Sequence, residues 1–136
     1  MCGRFAFYSP AEATAALFGA TTSIDVMPRY NIAPTQDIAA IREDADGERE
    51  LVMLRWGLVP FWAKDPSIGN RMINARAETV AEKPAYRAAY RHRRCVVLAD
   101  GFYEWRRTGG PKQPYFLHPP EDAVLALAGS GAIGGL

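Results

Sequence analysis

Five consecutive apolar residues, Cys95-Val96-Val97-Leu98-Ala99, lie between the cations Arg93-Arg94 and the turn residues Asp100-Gly101. An unbroken apolar run of that length, bounded by punctuation on both sides, predicts a strand buried on both faces. The neighbouring segments supply further strands. Phe102 to Trp105 resumes extended chain after Asp100-Gly101, and alternation sets Phe102 and Glu104 on one face with Tyr103 and Trp105 on the other. Arg106 to Gly110 reads as a hairpin turn with Gln113 to His118 as its return strand. Asp37 to Arg42 and Glu50 to Trp56 flank the turn Asp44-Ala45-Asp46-Gly47, a second hairpin. Phe5 to Tyr8 and Ala123 to Ala128 complete the set, with Pro119 to Asp122 as the turn before the last strand.

Helices are few. Ser9 is placed to cap a helix with Pro10 at its first position, running from Ala11 to Phe18 and closed by Gly19. Thr21 to Arg29 and the following Tyr30 to Thr35 read as connectors. A second helix is predicted from Lys83-Pro84 to about His92, with Tyr86/Tyr90 and Arg87/Arg91 repeating at i,i+4 so that one stripe packs and the other faces out. The expected fold class is α+β: a mostly antiparallel, bifurcated or barrel-like sheet with a few flanking helices. At 136 residues and 49% hydrophobic content, one globular domain is expected.

The net charge of +1 conceals an uneven distribution. Residues 1–68 carry six Lys/Arg against nine Asp/Glu, whereas residues 69–118 carry ten against four. A basic segment in a neutral chain suits a localised anionic partner such as nucleic acid, and equally a solvated Arg-rich helix face. Two cysteines 93 positions apart and two histidines offer no metal-ligand spacing, so neither metal nor cofactor is expected. A Cys2–Cys95 disulfide would fit an oxidising compartment; a reduced, cytoplasmic protein is the reading taken, with Cys95 a packed thiol. No membrane segment is expected.

The chemistry concentrates at Met1-Cys2-Gly3-Arg4. Removal of Met1 would leave Cys2 with an amine and a thiol on adjacent carbons, two nucleophiles with ordinary pKa values of roughly 8 and 8.5. The pair can condense with an aldehyde to an imine and close a thiazolidine, or attack an amide carbonyl as N-terminal nucleophile hydrolases do. A cysteine at position two is also commonly incidental on a frayed terminus. Arg4 adds an anion-seeking fork. Asn31 can bond a phosphate or brace a loop, and Pro34 offers an apolar wedge. Trp62 can stack on a base or sit in the core. Asn74 presents donors and an acceptor without charge, or serves as a turn residue. Glu104, flanked by aromatics, suits proton transfer or is simply a charge at a sheet edge.

Taken together, Met-Cys-Gly-Arg-Phe at the start, Tyr30-Asn31-Ile32-Ala33-Pro34, Trp56-Gly57-Leu58-Val59-Pro60, Ile73 to Thr79 and Ala99 to Trp105 resemble the SOS-response-associated peptidase family in order and spacing, and Gln113-Pro114-Tyr115-Phe116 also fits. The resemblance covers residues 1 to about 128. It implies a protein that senses abasic sites in single-stranded DNA and shields them as a thiazolidine crosslink. In that scheme Cys2 is the nucleophile, Asn74 positions the lesion and Glu104 moves protons. Arg4 and Arg76 hold phosphates; Pro34, Trp62 and Trp105, with Asn31 nearby, shape the strand. The alternatives are a Cys-dependent peptidase or amidase and an inactive DNA-binding remnant. The resemblance further implies more strands and a His-bearing segment beyond Ala128, so the chain is expected to be an incomplete domain, and a monomer if the fold is complete. A cytoplasmic, nucleoid-associated location follows from the same scheme.

Overall fold

The computed structural model describes residues 2–121 and 123–131. Met1, whose removal the sequence predicts, lies outside them, as do Asp122 of the predicted turn and the uncharged tail 132–136. The elements in chain order are β1 (Phe5–Phe7), α1 (Ala11–Leu17), β2 (Arg29–Ile32), β3 (Asp37–Glu43), β4 (Arg49–Arg55), a 3-10 turn (Pro66–Asn70), α2 (Arg87–His92), β5 (Arg94–Ala99), β6 (Gly101–Arg106), β7 (Gln113–Leu117) and β8 (Leu125–Ser130). They form two four-stranded sheets, ordered β2-β1-β6-β7 and β4-β3-β5-β8, in which every neighbouring pair is antiparallel. The architecture is α+β and mostly sheet. The two sheets do not close into a barrel, so the bifurcated form of the expectation is the one realised.

One apolar cluster joins the sheets. Phe5, Phe7 and Ile32 from the first pack with Ile38, Ile41, Leu51 and Leu98 from the second, and Ala11 and Ala15 of α1 cover one side. β5 is the central strand that its composition predicts. It lies between β3 and β8, and Leu98 and Ala99 are fully buried. Each buried Leu or Phe side chain contributes about 1.5–3 kcal/mol relative to exposure.

The chain crosses from one sheet to the other at a single residue, Asp100, between the end of β5 and the start of β6. Its backbone N–H donates to the Ala6 carbonyl at 2.8 Å. Its buried carboxylate accepts the backbone N–H groups of Tyr8 (2.6 Å) and Ser9 (2.8 Å) at one oxygen and the Ser9 hydroxyl at the other. Hydrogen bonds to a charged group contribute about 1.5–3 kcal/mol each, so the corner is firmly tied to the segment that follows β1.

That tie corrects the expected helix cap. Ser9 gives its hydroxyl to Asp100, and Pro10 occupies the cap position of α1 without a side-chain bond. The other end forms as predicted: Gly19 takes φ +63°, and the N–H groups of Gly19 and Ala20 bond the Ala16 and Ala15 carbonyls at 3.1 and 2.9 Å. α2 is shorter than expected, starting at Arg87. Pro84 has no N–H and disfavours helical geometry at Lys83, so residues 83–86 remain turns. β2 forms where a connector was expected, because β1 supplies backbone partners through an irregular pairing between Phe5 and Phe7.

Candidate functional site at the start of the first strand

The antiparallel register of β1 and β6 pairs Phe5 with Phe102 and Ala6 with Gly101. The ladder continues toward the N-terminus, since the Tyr103 N–H donates to the Arg4 carbonyl at 2.9 Å. Carried one step further, that register sets Gly3 across from Glu104. Cys2 is half-buried against the core, and its thiol donates to the Arg4 carbonyl at 3.3 Å. Burial pushes the Cys2 thiol above its ordinary range; a backbone hydrogen bond at Arg4 opposes this, and the Glu104 carboxylate reinforces it. Glu104 therefore acts electrostatically on the sulfur.

Asn74 arrives from the opposite direction on the loop after the 3-10 turn. Its side-chain Nδ2 donates to the Cys2 carbonyl at 2.6 Å. Three bonds fix this loop: Leu58 N–H to the Met72 carbonyl (2.9 Å), Trp56 Nε1 to the Ile73 carbonyl (2.8 Å), and the Tyr86 hydroxyl to the Asn74 carbonyl (3.2 Å). Trp56 also sets its ring edge against Phe5, with centroids 5.2 Å apart and planes at 65°. The same indole thus touches the strand that carries Cys2 and the loop that carries Asn74. Gly57 follows it at φ +138°, its backbone hard against the Gly69 carbonyl.

Arg4 Nη1 donates to Asn31 Oδ1 at 3.1 Å, so Asn31 braces the guanidinium. Beside it the Tyr103 hydroxyl donates to the Tyr30 carbonyl at 2.7 Å. Pro34 is half-buried in the turn from β2 to β3, and Thr35 next to it takes φ +74° while its N–H bonds the Trp56 carbonyl at 2.9 Å. Trp62 is 51% exposed and Trp105 42% exposed, which removes Trp62 from the core. Arg76 is exposed two residues beyond Asn74.

Cys2, Asn74, Arg4, Asn31 and Glu104 are therefore assembled around one strand end. Trp105 connects to them through Tyr103, whose ring centroid lies 6.4 Å away. Among the described residues no hydrogen bond or ring contact joins Pro34, Trp62 or Arg76 to Cys2. Tyr86 and the Trp56 indole N–H escaped the sequence reading. The Tyr86/Tyr90 spacing signalled a packed stripe, but nothing local pointed to Asn74 as the hydroxyl's target. Both cysteines are free thiols, and burial pushes Cys95 above its ordinary range against the pull of Arg42. Among the described residues no group of His, Cys, Asp or Glu is placed to hold a metal ion, and no helix is long and apolar enough to cross a membrane.

The SOS response associated peptidase (SRAP) family matches residues 1–132. The chain belongs to this family. Among SRAP relatives, the abasic site processing protein YoaM of Bacillus subtilis is 45% identical over 133 residues, covering 95% of this chain and 58% of YoaM. The abasic site processing protein YedK of Escherichia coli is 32% identical over 138 residues, covering 97% of this chain and 60% of YedK. A crystal structure of a protein from Bacteroides thetaiotaomicron, 27% identical, superposes with a TM-score of 0.82 over 93% of this chain and 58% of its own. The chain thus spans about three fifths of the length of these relatives.

Proposed function

We propose that this SRAP chain recognises abasic sites in single-stranded DNA and caps them covalently through Cys2 once Met1 has been removed. The observation that carries the reading is the hold of Asn74 on the Cys2 carbonyl at 2.6 Å, with the Glu104 charge felt at the same sulfur. Two relatives that bear the name abasic site processing protein support it. A ring-opened abasic sugar presents an aldehyde. The Cys2 amine adds to it and one water leaves as the imine forms. The sulfur then bonds the same carbon while the thiol proton passes to the imine nitrogen, closing a thiazolidine with no oxidant or reductant required.

The residues divide this work. Asn74 fixes the Cys2 peptide so that amine and thiol meet the aldehyde together, an orientation effect. Glu104 takes the proton released by the attacking amine and returns one to the departing hydroxyl. Arg4, pre-oriented by Asn31, and Arg76 bond phosphates. Pro34, Trp62 and Trp105 supply apolar and stacking surface for an unpaired strand. On this reading the protein works as a monomer in the cytoplasm, at the nucleoid.

The test is a denaturing gel of purified protein with single-stranded DNA carrying an abasic site. A band that survives heat and detergent is expected, absent with undamaged DNA and absent in Cys2→Ala. Asn74→Ala should slow its appearance by about tenfold, the worth of roughly 1.4 kcal/mol. No band, but cleavage of an N-terminal extension, would replace the reading with a peptidase. Salt-sensitive binding alone would leave only a DNA-binding remnant.

A further inference from the structure

The β6–β7 hairpin holds a recess outside the cluster around Cys2. The last paired residues are Arg106 and Gln113, so the same register sets Arg107 directly across from Lys112 at the mouth of the loop. The segment Arg106 to Lys112 contains three cations and no acid. Among the described residues neither Arg107 nor Lys112 makes a hydrogen bond or an ion pair. Together with Trp105 and Glu104 they line a cavity of about 290 Å³.

Strand alternation places this recess relative to the reacting end. Tyr103, Trp105 and Arg107 share one face of β6, Lys112 joins that face by its register with Arg107, and Arg4 joins it by pairing with Tyr103. The face therefore reads Arg4, then the half-exposed Trp105 ring, then Arg107 with Lys112. At about 3.4 Å per residue, the second cationic point lies roughly 13 Å along the strand from the first. A cation, an exposed ring and a cation pair in line match a strand of nucleic acid, which alternates phosphate with a base that has two stackable faces. A volume near the lower end of small-molecule pockets, about 300 Å³, suits a single nucleotide. Glu104 on the inner wall repels phosphate, which directs the anionic end to Arg107 and Lys112.

We infer that the recess bounded by Trp105, Arg107 and Lys112 is a binding subsite for one nucleotide flanking the lesion, its base on the Trp105 ring and its phosphate between the two cations. The inference rests on the proposed reading of Cys2 and extends the strand path beyond it. Only one side of the lesion is served, so the subsite also fixes the polarity in which DNA lies across the sheet.

The experiment uses the full chain and a single-stranded oligonucleotide with a tetrahydrofuran abasic analogue, which has no aldehyde and so reports binding alone. Affinity is measured against salt for the parent protein and for Arg107→Ala/Lys112→Ala, two exposed positions. The double variant should give a log–log salt slope shallower by about 0.7 for a shared phosphate or 1.4 for two, since each contact on a single strand contributes about 0.7. Trp105→Ala should weaken binding without changing the slope, and Arg107→Lys should restore it. The defect of the double variant should persist with the analogue at one end of the oligonucleotide and vanish at the other. A parent that binds and crosslinks while the double variant keeps its slope overturns the subsite and leaves the function standing. A parent that binds no DNA overturns both.

Discussion

The thiol of Cys2 is held in its protonated form more firmly than a free cysteine, first by burial and then by the Glu104 carboxylate. The sign of each effect gives a prediction. Glu104→Gln removes a negative charge that disfavours the thiolate, so the thiol should ionise at lower pH. Alkylation of Cys2 by iodoacetamide, followed across pH by mass spectrometry in a Cys95→Ala background, should shift its midpoint downward, while thiazolidine formation should slow about tenfold or more for want of a proton carrier. An alkylation profile that stays in place would remove Glu104 from the sulfur's surroundings. The reacting residues themselves were readable from the sequence, because the blocks that carry Cys2, Asn74 and Glu104 are short and contiguous. Their supports were not. Asn31 reaches Arg4 across 27 positions, and Trp56 reaches Ile73 across 17. No local pattern encodes a partner at such a distance, and for Asn31 the sequence left brace and phosphate ligand as equal options.

Among the elements, those governed by nearby chemistry were legible. Asp44 Oδ1 accepts the Asp46 and Glu48 N–H groups at 2.8 and 2.9 Å, and Gly47 takes φ +79°, so the β3–β4 turn closes on its own residues. β2 and the start of α2 were misread because pairing with β1 and the restrictions around Pro84 override local propensity. The joint after β4 shows how a short element serves the site. Gly57 at φ +138° lets the chain leave Trp56 and pass the Gly69 backbone, and a side chain there would collide with the Gly69 carbonyl. Gly57→Ala combines backbone strain with that collision and should cost about 3 kcal/mol or more. Calorimetry should find a melting temperature lower by about 10 °C. A loss of less than 2 °C would mean that the joint relaxes without cost.

At the scale of the whole molecule, the sequence yielded strands without assigning them to sheets. β1 takes partners from residues 29–32 and 101–106, and β5 takes them from 37–43 and 125–130. Alternation along a strand reveals which face is buried but carries no information about which distant strand lies alongside, so a barrel and a pair of open sheets read alike. Asp100 decides the matter, since the strand changes sheets there and its carboxylate ties down the chain just past β1.

β1 sits inside its sheet and is gripped from one side by β6, a strand that the ribosome delivers only after residue 101. At about 5–20 residues per second, the nascent chain spends roughly 5 to 20 s with its leading end still unclamped. Excision of the initiator residue should therefore be fast during synthesis and sluggish afterwards. Purified protein that retains Met1 should yield it to an added aminopeptidase many times more slowly when native than in urea, and equal rates would show that the grip of β6 does not reach the first peptide bond. The reactive form would then be settled at birth, with its supply set by translation and not by any later demand for repair.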